Sequence, residues 1–237
     1  MEVVGSGNIA TRPRTTSLLY RTEKTYFAGV GPQLPGSFAE YLVTYADLVI
    51  HVPDNWSFED AGQLGIAPFT ALMALYDLLG FPEPHSIPVP PPAPGASAIP
   101  ILISGAASSV GLYTVQIAKQ SGLYVIATAS ERNFDLVRSF GADVVVDYRD
   151  PATAAKHIRE AAPRPIEHAL DCVSTGTSFE IVAAALDGKG TIANLTLGGY
   201  PTVEGVKVQS GIIFDYFGKA RFLLLVPSHL PIDREAR

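Results

Sequence analysis

Two hydrophobic patterns divide the chain. From residue 99 onward, short apolar runs alternate with amphipathic stretches at regular intervals. The runs predict strands over residues 99–104, 124–129, 144–147, 166–171 and 190–195, and the stretches predict helices over 110–121, 133–140, 153–161 and 178–186. Runs as continuous as Ile101-Leu-Ile103 suit strands covered on both faces, so the order indicates parallel βαβ units. Before residue 80 the pattern differs. Residues 37–45 and 48–52 alternate apolar with polar positions, as half-buried strands do. Ser57, three residues ahead of Asp60, forms a capping-box pattern for a helix through Leu64; a second helix over residues 70–79 ends at Gly80 and Pro82. Between the two regions, Pro88, Pro90, Pro91, Pro92 and Pro94 exclude a helix interior or a central strand. The expected organisation is therefore residues 1–80, a proline-rich loop at 81–97, and an α/β unit from residue 98 to 237.

The first predicted strand of that unit runs directly into Gly105-Ala-Ala-Ser-Ser-Val-Gly111 and then a helix. A turn of small residues at a helix N-terminus lets a phosphate approach unpaired backbone N–H groups, where the helix dipole also favours an anion. Gly105, Ala106, Ser108, Ser109, Val110 and Gly111 are thus candidate phosphate-binding positions, with Ser108 in place of the middle glycine of a dinucleotide fingerprint. The same residues could merely permit a tight turn. The next strand ends at Ser130, Glu131, Arg132 and Asn133, about 20 residues on, where such a fold meets the adenosine ribose. Ser130 and Arg132 can donate to a 2′-phosphate, which favours NADPH; Glu131 argues the other way, since an acidic residue there suits a free 2′-hydroxyl. The fold class expected is a Rossmann-type doubly wound parallel sheet.

Composition narrows the classes further. The net charge of −6, without any arginine- or lysine-rich run, supplies no basic surface for nucleic acid. The single cysteine, Cys172, excludes an internal disulfide framework and a multi-thiolate zinc site. The five histidines show no metal-ligand spacing, so no metal is expected. Without a signal-peptide pattern or a run of about 18 apolar residues, the expected location is the cytoplasm, with no membrane span.

These features resemble the zinc-independent branch of the medium-chain dehydrogenase/reductase superfamily, which contains quinone oxidoreductases and stand-alone enoyl reductases. Gly36-Ser-Phe-Ala-Glu-Tyr41 followed by Pro53 resembles the end of that family's GroES-like domain, with a thinner match at Val4-Gly-Ser-Gly7. Ala67-Pro-Phe-Thr70 resembles the stretch whose threonine contacts the cofactor, and Gly141-Ala-Asp143 a segment following the phosphate turn. Asp147-Tyr-Arg149 resembles a site whose tyrosine helps bind the 2′-phosphate. Asp171-Cys-Val-Ser174 and Asn194-Leu195 resemble strand ends beside the cofactor. The resemblance therefore adds Thr70, Tyr148, Cys172, Asn194 and Leu195 to the cofactor-site candidates.

The proline-rich stretch and Ser130-Glu-Arg-Asn133 are most similar to fungal reductases of this branch, including trans-acting enoyl reductases that serve polyketide synthases. The resemblance implies hydride transfer from NADPH to the β-carbon of an α,β-unsaturated thioester, with the protein supplying orientation and electrostatics. It also implies a GroES-like segment shorter than the family's and a cofactor domain lacking its last elements. Apolar residues 211–217 are then expected at a homodimer edge or beside missing strands. No proton donor is assigned.

Cys172 is read as a small buried hydrophobe before a nucleophile, and Asp171 as a turn anchor before a catalytic acid. Tyr148 and Thr70 could each be packing residues instead of ligands. Arg21, Lys24 and Lys119 are read as solvated surface charges. Two rival functions stay open: a non-catalytic binding module, and a cyclase without redox chemistry.

Overall fold

The computed structural model describes residues 55–83, 98–196 and 200–213, together with the short strands β1 (Thr15–Thr16) and β2 (Ile50–His51), which pair antiparallel. The predicted strand over 37–45 and residues 84–97 of the proline-rich loop lie outside the described residues, as do Arg21, Lys24 and residues 214–217. The chain divides into two units, residues 70–212 forming one and residues 1–69 with 213–237 the other.

Helix α1 (Phe58–Gly62) begins as its sequence predicts. Asp60 N–H donates to Ser57 Oγ at 3.0 Å, and Ser57 N–H returns a bond to the Asp60 carboxylate. This reciprocal cap satisfies two amides that the helix itself leaves open. Helix α2 (Ile66–Leu72) starts four residues before the predicted Thr70 and continues as a π-helical stretch, Met73–Leu78. The extra residue per turn is invisible in the sequence, whose spacing reads as one ordinary helix.

The larger unit alternates strand and helix: β3 (Pro100–Ser104), α3 (Ser109–Gln120), β4 (Tyr124–Ala129), α4 (Phe134–Ser139), β5 (Val144–Asp147), α5 (Pro151–Ala161), β6 (His168–Asp171), α6 (Ser178–Leu186), β7 (Gly190–Asn194) and β8 (Val206–Ser210). A 3₁₀ turn, Glu131–Asn133, leads into α4, which starts one residue after the predicted Asn133. The strands form one parallel sheet in the order β5-β4-β3-β6-β7-β8. Relabelled from its first strand, that order is 3-2-1-4-5-6, the doubly wound Rossmann arrangement. The sequence pattern did not reveal β8.

Leu102, Ile126, Ala169 and Ile192 project from successive strands onto Ala154 and Ile158 of α5 and Ile181, Val182, Ala185 and Leu186 of α6. Alternation along the strands turns Ile101, Ile103 and Val125 to the opposite face, where α3 covers β3 and β4 and the π-helical stretch meets β7. Burying each branched side chain stabilises the fold by about 1.5–3 kcal/mol. Lys119 is more than a solvated charge: its ammonium meets Asp143 Oδ1 at 2.5 Å, while Asp143 Oδ2 accepts the Val125 N–H at 2.7 Å. The pair thereby joins α3 to the start of β4.

Candidate functional site

The carboxyl ends of the strands carry a row of buried polar residues. Ser104, Asp171, Asn194 and Ser210 stand opposite one another in register across β3, β6, β7 and β8. The first three are buried, as is Thr128 near the end of β4. A ligand in a doubly wound sheet binds outside this edge where strand order reverses, here between β3 and β6.

The phosphate turn fills that position. Gly105 adopts φ +72°, and a side chain there would place its Cβ 2.5 Å from Val173 Cγ2. At Gly111 an added Cβ would lie 2.4 Å from the Gly105 carbonyl oxygen and 2.7 Å from Ala106 Cα, contacts that rigid backbone cannot relieve. Thus Gly111 permits close approach of α3 to the end of β3, and Gly105 permits close approach of the turn that follows β6. Gly105 N–H donates to Thr128 Oγ1 at 3.2 Å and Ala106 N–H to Thr128 O at 3.0 Å, tying the buried Ala106 and its turn to β4. Ser108, the helix cap, accepts from Gly111 N–H at 3.1 Å. The cap leaves the first-turn amides of Ser109 and Val110 without an intrahelical acceptor, so the residues fit an anion such as a pyrophosphate.

On the β6 side, Asp171 anchors the turn. Its Oδ1 accepts the N–H groups of Val173 at 3.0 Å and Ser174 at 2.9 Å; Oδ2 accepts the hydroxyls of Ser178 at 2.9 Å and Tyr200 at 3.1 Å. Four donors saturate the buried carboxylate, which therefore acts as a structural acceptor. Burial and the facing carboxylate push the Tyr200 phenol above its ordinary pKa. Cys172 is half-buried, and burial, reinforced by the charge of Asp171, pushes its thiol up to about 12. The thiol is therefore neutral near pH 7, which disfavours a nucleophilic role.

Asn194 closes the edge farther along. Its Oδ1 accepts from Thr196 N and Oγ1 at 3.2 and 3.0 Å, while its Nδ2 donates to Ser210 Oγ at 3.1 Å. Leu195 follows it, half-buried. Thr70 is buried on α2.

The ends of β4 and β5 form a more open corner. Asn133 Nδ2 donates to Ser130 Oγ at 3.2 Å, fixing two of the ribose-end candidates to each other. Arg132 is exposed and makes no side-chain hydrogen bond or ion pair among the described residues. Tyr148 is 42% exposed, so it is available to a ligand and is not spent on core packing. Arg149 reaches Asp147 through both carboxylate oxygens and Glu131 at 3.2 Å. Its hydrogen bonds hold the Asp147 carboxyl below the ordinary carboxylate range. Sequence spacing gave no sign of this three-residue cluster or of the Tyr200–Asp171 bond, because both depend on which strand ends become neighbours.

Among the described residues no group of three or more His, Cys, Asp or Glu side chains could hold a metal ion, and no helix is long and apolar enough to cross a membrane.

The zinc-binding dehydrogenase family model matches residues 109–215. A trans-enoyl reductase of Chaetomium globosum, cghC, is 39% identical over 176 residues, covering 68% of this chain and 47% of that protein. The trans-enoyl reductase ACTTS2 of Alternaria alternata is 38% identical over 202 residues, covering 84% and 55% respectively. The chain thus spans about half the length of these curated relatives. Among solved structures, a mycobacterial protein complexed with NADPH superposes with a TM-score of 0.62 at 25% identity, covering 78% of this chain and 56% of that one. The CurK enoyl reductase shares the fold with a TM-score of 0.61 at 21% identity, over 77% and 53% of the two chains. The chain therefore belongs to the medium-chain dehydrogenase/reductase superfamily, in the branch of the fungal trans-enoyl reductases and quinone oxidoreductases.

Proposed function

We propose that this protein is an NADPH-dependent reductase of an activated C=C bond, acting in trans on an acyl thioester carried by a polyketide synthase. The likeness to trans-enoyl reductases carries the reading, since it runs through a phosphate turn whose geometry requires both glycines. In this reading residues 1–80 are a partial GroES-like segment and residues 98–237 the cofactor domain.

Bound NADPH would supply hydride to the β-carbon of the thioester. The chain's own residues bind and orient. Ser109 and Val110 amides receive the pyrophosphate, and Ser130 and Arg132, with Tyr148, meet the 2′-phosphate. Thr70, Cys172, Asn194 and Leu195 line the approach to the nicotinamide. Asp171 keeps the Val173 wall against Gly105 by holding the backbone of its turn.

The test is turnover of the full chain with a crotonyl thioester, followed by nicotinamide absorbance. NADPH oxidation that depends on the thioester and exceeds oxidation of NADH is the expected result. Tight NADPH binding without any turnover, across crotonyl and longer enoyl thioesters, would replace the enzyme reading with that of a nucleotide-binding module.

A further inference from the structure

Strands β4 and β5 stay in register to their last residues, with Ala129 opposite Asp147. Two residues beyond each, the chain presents Glu131 and Arg149, and their side chains meet across the gap. Arg149 Nε donates to both Asp147 oxygens, at 3.0 and 2.8 Å, and Nη2 donates to Asp147 Oδ2 and to Glu131 Oε2. The backbone N–H of Arg149 also reaches Asp147 Oδ1 at 3.0 Å.

A guanidinium carries five N–H donors. Nε uses one and Nη2 both of its own, which leaves the Nη1 pair without a partner among the described residues. The side chains of Arg149 and Glu131 are 62% and 78% exposed, so their pairing adds little to stability. What the cluster does control is charge beside the ribose-end residues. Arg132 and Arg149 bring two positive charges, Glu131 and Asp147 two negative ones, and the corner is balanced.

We propose that Arg149 is a second cation for the 2′-phosphate, oriented by Asp147 and restrained by Glu131, so that Glu131 sets the preference between NADPH and NADH. The inference rests on the NADPH reading above. Asp147 holds one edge of the guanidinium fork and turns the Nη1 edge outward. A 2′-phosphate dianion competes with Glu131 for the remaining charge, while a 2′-hydroxyl gains little from either cation. Glu131 thereby moderates NADPH affinity through Arg149 instead of accepting the ribose hydroxyl of NADH.

Calorimetric titration of the full chain with NADPH and NADH, using wild type, Glu131→Gln, Arg149→Met and the double variant, tests this. Thermal melting confirms that each variant is folded. Glu131→Gln is expected to tighten NADPH about two- to fivefold, with the gain shrinking at high salt and NADH changing less than the dinucleotide it competes with. Arg149→Met weakens NADPH about tenfold and spares NADH. In the Arg149→Met background the gain from Glu131→Gln disappears. An equal gain in both backgrounds would overturn the proposal, because Glu131 would then repel the phosphate directly. Weakened NADH binding on Glu131→Gln would also overturn it, by making Glu131 the ribose-hydroxyl acceptor. Wild type that prefers NADPH while Arg149→Met changes nothing defeats this inference alone; wild type without preference for NADPH defeats the cofactor reading and this inference together.

Discussion

The two corners of the carboxyl edge are built in opposite ways. Around Gly105, Gly111 and Asp171, an added methyl group would run into the Val173 side chain or into backbone, and a buried carboxylate has a donor for each of four acceptor positions. Around Arg132, Tyr148 and Arg149, side chains are exposed and charges are balanced in pairs that solvent can rearrange. The first corner is part of the fold, and its failure should cost stability. The second is separable from the fold, and its failure should alter which dinucleotide binds.

The largest effect expected from breaking this contrast is at Gly111. Gly111→Ala forces a Cβ into the Gly105 carbonyl, so it should destabilise by about 3 kcal/mol and lower Tm by about 6–12 °C, with dinucleotide binding lost as well. A melting curve checks it, and an unchanged Tm would show that α3 is not packed so closely. Next is Asp171→Ala, which strands the amides of Val173 and Ser174 and should cost about 2–3 kcal/mol in urea unfolding. Tyr200→Phe removes one of the four donors and should cost less, about 1 kcal/mol.

At the open corner the prediction changes kind. Arg132→Ala should leave Tm within a degree or so of wild type yet weaken NADPH by about 1–3 kcal/mol while sparing NADH. Equal losses for both cofactors would remove Arg132 from the 2′-phosphate site.

The smallest effect is a control at the opposite end of β6. His168 is half-buried against Phe81, with ring centroids 4.6 Å apart, and its buried Nδ1 has no hydrogen-bond partner. Burial holds its pKa below the ordinary 6.5. The unfolded chain therefore takes up this proton first as pH falls. The stability contributed by neutral His168 is complete above 6.5 and is lost as the pH drops from there through the depressed folded value. His168→Phe should flatten that part of the stability-pH profile without changing NADPH affinity. An unaltered slope would assign it to other groups.

Much of the first corner was legible in the sequence because steric demands leave marks: a glycine where no side chain fits, and a small polar cap before an amphipathic run. The strands and helices between residues 98 and 195 were legible for a similar reason, since apolar runs covered on both faces cannot be replaced by mixed sequence. Strand β8 escaped notice because Val206-Lys-Val-Gln-Ser210 is short and half polar at a sheet edge, and no helix lies in the described part of the connection from β7. The Arg149 cluster and the Tyr200–Asp171 bond were illegible for a different reason. Each joins residues 18 or 29 positions apart, and nothing local requires the pairing. Glu131 shows the consequence: taken alone it argued for a free ribose hydroxyl, whereas its observed partner is an arginine.

The central claim is that the cofactor corner works, and calorimetric titration of the full chain with NADPH and NADH before any substrate is added tests it most directly. Saturable binding of both through the phosphate turn, with NADPH the tighter, is the expected result. Absence of binding to either dinucleotide by a folded chain would contradict it.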